Sequence, residues 1–317
     1  MRSHDVGVLA VGAATVDLIH EVGDPPPIDG KIDARRQLVV AGGSAANGAV
    51  TAAYLGAKAT LLTGLGQHML TGGIHADLEQ HGVQVMDLDP QRTVTPPVSA
   101  IRVTAGTGER AVVSWGAQAY DPGPDELPEL RDLLHRLVFE HDVLLLDGQH
   151  PRLALAAAQE ARRLGRLSVL DADHWTPGLA ELIPLCAVVV ASHELRPPGC
   201  ADARQALRYV ARHCSWAAMT HGAGDVRWQA GGQRGTIEVP QVTAIDTLAA
   251  GDIFHGALAA TLAGAPAPLT VSAFTHGLRV AARTASASCT VFGPRAWMRT
   301  DSTPSPLTLA TRHGGAA

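Results

Sequence analysis

The stretch Asp246-Thr247-Leu248-Ala249-Ala250-Gly251-Asp252-Ile253-Phe254-His255-Gly256-Ala257 is the most informative segment of this 317-residue chain. Small residues at 249–251 let the backbone turn tightly and approach a ligand, and the apolar run behind them predicts a helix over Ala249–Gly264. The first turn of a helix carries unpaired N–H groups and partial positive charge, a setting that suits phosphate. Asp252 falls in that turn. A carboxylate there either complements the helix dipole or takes the proton of a hydroxyl that attacks phosphorus. The segment by itself leaves both readings open.

Working outward, Gly42-Gly43-Ser44 opens a second helix, expected to run to about Leu55 and to stop at Gly56. Val6–Val11 and Ala59–Leu62 read as buried strands on either side of it, and a further helix ends at His81-Gly82. After Asp121-Pro122-Gly123-Pro124 the chain alternates regularly between helix and strand. Strands are expected at Val143–Leu146, Leu167–Leu170, Val188–Val190 and Ala217–Met219, and a last helix at Leu269–Cys289 before a frayed tail beyond Ser302. This rhythm predicts an α/β fold of three layers, a mainly parallel sheet flanked by helices.

Two stretches break the rhythm. Residues 14–40 carry the turn signals Asp24-Pro25-Pro26-Pro27 and Asp29-Gly30, which predict short exposed strands. Residues 95–118 hold two strand-like runs, Val98–Thr104 and Arg110–Trp115, joined at Gly106-Thr107-Gly108. Together they are expected to form a small β-sheet lid. Residues 1–13, 41–94 and 119–317 would form the α/β domain that binds nucleotide and substrate.

Composition narrows the function. Hydrophobic residues make up 46 % and charged residues 17 %, and the net charge of −5 gives no reason to expect a nucleic-acid partner. No apolar run approaches the ~20 residues of a membrane span, and the start of the chain does not read as a signal peptide. The four cysteines form no CxxC pair, as in a reduced cytoplasmic protein. Lys31 and Lys58 are the only lysines, neither lies in a G-x-x-x-x-G-K-[ST] motif, and a P-loop kinase is therefore excluded.

The Asp246–Ala257 segment resembles the C-terminal signature of the ribokinase-like (PfkB) carbohydrate kinases, Asp-Thr-x-Gly-Ala-Gly-Asp-x-Phe-x-Gly-Ala. Every fixed position matches except the first Gly, which is Ala249 here. Gly42-Gly43-Ser44-Ala45-Ala46-Asn47 is similar to the family's N-terminal signature, about 200 residues earlier. The resemblance implies an ATP-dependent sugar kinase in which Asp252 is the general base and the N–H groups of Ala249, Ala250, Gly251 and Asp252 form an anion hole. Ala249 narrows that loop and keeps its N–H donors. By the same resemblance Asp17, Gly42, Gly43 and Asn47 bind sugar hydroxyls. Thr220, Gly222 and Gly224 would line the nucleotide, and His276 would neighbour its adenine. Asp246 and Leu248 align with carbonyls that hold a monovalent cation, K⁺, in some members.

The chain also departs from the pattern. Where many members have Asn-x-x-Glu organising Mg²⁺, this chain reads Val190-Ala191-Ser192-His193-Glu194. Glu194 is then the Mg²⁺ candidate if Ala191 replaces the Asn; otherwise the Glu position is Leu195. The motifs resemble the ketohexokinase and sulfofructose-kinase side most closely. An anionic substrate would need cations near the lid, with Lys31 and Arg110 among the candidates. Two alternatives remain: a nucleoside kinase, which needs an aromatic such as Trp115 or Tyr120 at the lid, and a sugar-binding regulator without catalysis. Family analogy and exposed lid edges predict a homodimer through the lid.

Overall fold

A computed structural model describes residues 6–115, 120–123 and 126–299. The expected tail beyond Ser302, the first five residues, Pro124 of the 121–124 turn and the 116–118 end of the second lid stretch lie outside the described residues.

Thirteen strands follow in chain order among the described residues: β1 (Gly7–Val11), β2 (Thr15–Val22), β3 (Arg36–Gly42), β4 (Lys58–Thr63), β5 (Val83–Asp87), β6 (Val98–Thr104), β7 (Arg110–Trp115), β8 (Val143–Leu146), β9 (Leu167–Ala172), β10 (Val188–Ser192), β11 (Trp216–His221), β12 (Gly224–Ala230) and β13 (Gln233–Ile237). The α-helices are α1 (Ser44–Tyr54), α2 (Thr71–Gln80), α3 (Leu127–Glu140), α4 (Pro151–Arg163), α5 (Pro177–Leu182), α6 (Ala203–His213), α7 (Ala250–Ala263) and α8 (Val271–Ser288).

Nine strands make one sheet in the order β13-β12-β11-β10-β9-β8-β1-β4-β5, parallel from β11 to β5 and antiparallel only at the β12–β13 edge. Its central strands are continuous apolar runs because helices cover both faces. Val8, Ala10 and Leu145 pack with α1, α2, α7 and α8, while Leu9, Val11, Leu144 and Leu146 pack with α3, α4, α5 and α6. Alternate residues of one strand thus feed two separate cores. The β12–β13 hairpin, absent from the sequence reading, turns at Gly231-Gly232, both at positive φ, and buries Val226, Trp228 and Ala230 on one face.

The second sheet has the order β3-β2-β6-β7, with β2 and β6 parallel and both outer pairs antiparallel. It joins the two stretches read as lid. The expected exposed character of 14–40 needs correction: β3 is largely exposed, but β2 is not. Val16, Asp17, Ile19, Glu21 and Val22 are all buried. Ile19 packs with Ile101, Val103 and Phe292, and Glu21 pairs with Arg36, whose guanidinium lies 4.4 Å over the Phe292 ring. Polar residues that read as solvent-facing are held against the main domain.

Candidate active site

The site forms where α1 and α7 begin, beyond the C-terminal ends of β1 and β8. Gly43 precedes α1 with φ 95°, a left-handed conformation that L side chains resist, and a Cβ there would lie 2.5 Å from the Ala13 carbonyl oxygen. This close approach seats α1 against the turn after β1. Asp147, at the end of β8, locks the junction by accepting from the N–H groups of Ala13 at 2.8 Å and Ala45 at 3.2 Å. One turn into α1, Asn47 is buried and donates from Nδ2 to Asp252 Oδ2 at 2.7 Å.

Asp252 lies in the first turn of α7. Burial pushes its carboxyl up to about 6, and the nearby charges of Asp173 and Asp17 act the same way; the hydrogen bonds from Asn47 and Ser44 oppose them. Ala249, which precedes the helix, sits at φ 60°, ψ 9°. The Ala250 N–H is engaged with the Thr247 carbonyl at 3.3 Å, and Ile253 N–H with that of Ala249 at 2.9 Å. The N–H groups of Ala249, Gly251 and Asp252 make no hydrogen bond among the described residues. Three donors are thus left open beside a half-buried carboxylate of raised pKa, and an anion fits them.

On the other wall, Asp17 is buried, and burial raises its pKa against the hydrogen bonds of Thr15 and Ser99. Thr15 Oγ donates to its Oδ1 at 2.7 Å. Gly42 leaves room for this carboxylate, since a Cβ there would lie 2.0 Å from Asp17 Oδ2. Ser99 and Ser114 share a hydrogen bond of 3.0 Å on the same face of the small sheet. Asp17, Gly42, Gly43, Asn47 and Asp252 therefore converge.

Other residues singled out in the sequence have different partners. Lys31 is exposed in the connection between β2 and β3 and has no ion pair among the described residues. Arg110 donates to Thr247 Oγ at 2.8 Å and to its carbonyl at 3.2 Å, tying β7 to the loop before α7. Thr220, next to last in β11, has its hydroxyl 3.4 Å from the Ala191 carbonyl, Gly222 turns the chain at φ 54°, and Gly224 opens β12. His276 is exposed on α8. Glu194 is exposed and lies 3.2 Å from His174 Nε2. Asp246 is buried, and its carboxylate accepts from the N–H groups of Leu248 and Gly293, each at 2.9 Å. Among the described residues no group of three or more His, Cys, Asp or Glu side chains is arranged to hold a metal ion. A cavity of about 750 Å³ opens at the opposite edge of the sheet, near Arg166, Cys186 and Cys214, and none of these candidates lines it.

Sequence reasoning missed several buried polar groups around the site. His255 Nδ1 lies 2.7 Å from the Gly251 carbonyl and 3.3 Å from Asp171 Oδ2; burial lowers the histidine pKa and raises that of Asp171. Arg295 reaches Asn47, and Asp77 in turn reaches Arg295. Asp147 and Asp171 had a legible signal, since each ends or nearly ends an apolar strand run on the ligand-binding edge of a parallel sheet. Arg295 had none, because it lies 43 residues beyond Asp252 in an irregular segment.

Comparisons with known proteins bear on the family and the fold. A deoxyribokinase from Salmonella typhi is 24% identical over 265 residues, covering 80% of this chain and 84% of the relative. A mouse ribokinase is 26% identical over 275 residues, covering 82% of each. In fold, the chain is similar to the ribokinase from Arabidopsis thaliana solved with ribose and ATP, with TM-score 0.70 and 19% identity over 94% of this chain and 100% of that one. Residues 7–301 match the pfkB family carbohydrate kinase description, and with nearly the whole sequence inside that match the chain belongs to this family of sugar phosphotransferases.

Proposed function

We propose that this protein transfers the γ-phosphoryl group of ATP to a hydroxyl of a small carbohydrate, with Asp252 as general base. The observation that carries the reading is the pairing of Asp252 with Asn47 beside the open N–H groups of Ala249, Gly251 and Asp252. A carboxylate of pKa about 6 is ionised at neutral pH yet basic enough to take the sugar proton as its oxygen attacks phosphorus. The N–H groups then face the charge on the transferring group, where fixed donors in a dry site are most effective. Asp17, Gly42 and Asn47 hold the other hydroxyls, and Thr220, Gly222 and Gly224 run along the nucleotide with His276 near its base. The small sheet acts as the lid.

Mg²⁺ accompanies ATP and supplies charge neutralisation at its phosphates; Glu194 is the carboxylate this reading assigns to it. The Asp246 and Leu248 carbonyls, in the loop fixed by the Asp246 carboxylate, are the K⁺ ligands. Four free thiols suit a reducing cytoplasm, and among the described residues no helix is long and apolar enough to cross a membrane.

A nucleoside substrate fits less well. Trp115 pairs across the sheet with Val98, and its side chain belongs to the face opposite Asp17, whose neighbours are Thr15, Ser99 and Ser114. Tyr120 packs on Gly64. The wall beside Asp17 is lined by hydroxyls, as a sugar requires. The outer face of the lid carries a cross-strand row of Leu18, Val39, Ala100 and Val113, with Val39 and Val113 exposed at 62% and 75%. A second copy of the lid covers this row in a homodimer.

The deciding experiment is ATP turnover with ribose, deoxyribose, fructose and sulfofructose, using Asp252→Asn as control. One sugar is expected to turn over, with a loss of at least ~10³-fold in the variant. Equal turnover by wild type and variant would sink the assignment of the base.

A further inference from the structure

Asn47 can serve Asp252 in only one of its two amide orientations. Its NH₂ edge donates to Asp252 Oδ2 at 2.7 Å, so its oxygen must face away. That oxygen accepts from Arg295 Nη1 at 2.8 Å. A guanidinium has no acceptor, so the contact is possible only with Oδ1 toward Arg295. Arg295 itself is fixed. Its Nη2 donates to the Ala41 carbonyl at 2.8 Å and lies 3.4 Å from Asp77 Oδ2, while Asp77 also accepts the Ala41 N–H at 3.2 Å. Gly293, two residues before it, is held by Asp246.

We propose that Arg295 is a positioning residue for phosphoryl transfer: it commits the Asn47 amide to the orientation that donates to Asp252. This rests on the reading of Asp252 as the base. Asp77, Arg295, Asn47 and Asp252 form one chain of contacts through α2, the segment after α8, α1 and α7. The charged groups facing Asp252 are Asp17 from β2, Asp171 at the end of β9, Asp173 just beyond it, and Arg295. His255 on the same helix faces Asp171. Arg295 thus sets the donor that Asp252 receives, and its own charge faces Asp77, Asp17 and Asp252.

The test is a double-mutant cycle between Arg295→Met and Asn47→Ala, read in kcat, in KM for ATP and in the acid limb of the pH–kcat profile. Arg295→Met is expected to lower kcat about 10–100-fold, to change KM for ATP by less than about 2-fold, and to move the acid limb upward. In the Asn47→Ala background the same change should cost less than about 2-fold. Arg295→Lys, which keeps the charge and a donor, should recover part of the loss. It replaces Arg295→Met in the cycle if that variant fails to fold. Additive losses, or an unmoved acid limb, would mean that Arg295 only braces the fold. The Asp252 carboxyl is also titrated by ¹³C NMR of Asp-labelled protein in the same four variants, with Asp252→Asn for assignment. If Asp252→Asn stays active the base reading fails, while the NMR cycle still decides whether Arg295 acts on Asp252 through Asn47.

Discussion

Gly256 on α7 meets Gly48 on α1 so closely that a Cβ on Gly256 would lie 2.3 Å from the Gly48 carbonyl oxygen. Gly48 follows Asn47 in α1, and Gly256 lies one turn beyond Asp252 in α7. The missing side chains let two helices touch backbone to backbone, and that contact carries Asn47 to within 2.7 Å of Asp252. Packing at one point therefore sets the geometry of the site at another.

Gly256→Ala should accordingly force the helices apart. Overpacking of this kind costs ~1–3 kcal/mol, and a displacement of ~1 Å at Asp252 would cost about 10²-fold in rate if it is the base. We expect kcat to fall far more than thermal stability predicts, which steady-state kinetics and melting curves on the same variant will compare. An unchanged kcat would show that the Asn47–Asp252 contact tolerates the shift.

The raised pKa of Asp252 gives two linked pH predictions. As a base it must be ionised, so kcat/KM should fall as pH drops through about 6, with one proton taken up. Its folded pKa lies above the ordinary value of 3.8, so the ionised group destabilises the fold at neutral pH and ceases to do so as pH falls below about 4. Asp252→Asn removes that burden. Each pH unit of displacement is worth ~1.4 kcal/mol, so the variant should gain about 1–3 kcal/mol at pH 8, less where cleft water screens the charge. Urea titrations at pH 8 and pH 4 measure this, and a gain equal at both would point to packing instead.

Much of this was legible in the sequence because strong local signals coincide with the site. Asp252 and Asn47 sit where small residues meet helix starts, and Val143–Leu146 reads as a strand because nothing in it is polar. The errors have a common physical origin. Asp17 and Glu21 give β2 a polar alternation that looks solvent-exposed, yet one faces the cleft and the other is neutralised by Arg36. Arg295 and Asp77 were invisible because their role comes from contacts between segments more than 200 residues apart. Periodicity reports which face a residue takes, and it is silent on which distant partner meets it there.

Ala249 stands where the family pattern has Gly, and the structure holds it at φ 60°. A left-handed conformation costs an L residue ~1–2 kcal/mol. Ala249→Gly should therefore stabilise the protein by about 1 kcal/mol, a rise in Tm of about 2 °C for a chain of this size. The N–H donors are unchanged, so kcat should stay within about 2-fold. Scanning calorimetry would contradict the strain argument if Tm fell.

Arg110 allows the lid to be tested apart from the chemistry. Its guanidinium binds Thr247 through two hydrogen bonds, so it serves as a tether between β7 and the loop in front of α7. The sequence offered another role, a cation for an anionic sugar. The two roles separate by substrate. A tether acts on lid closure whatever the substrate's charge, so Arg110→Gln should raise KM for neutral and anionic sugars alike. The exposed contact is worth ~1 kcal/mol, which predicts about a 5-fold increase. An anion-binding role would raise KM for the anionic sugar alone and would leave the neutral one untouched. Thr247→Val adds a second arm: it removes the Thr247 hydroxyl that Arg110 binds without altering charge, and only a tether predicts that it reproduces part of the Arg110→Gln effect.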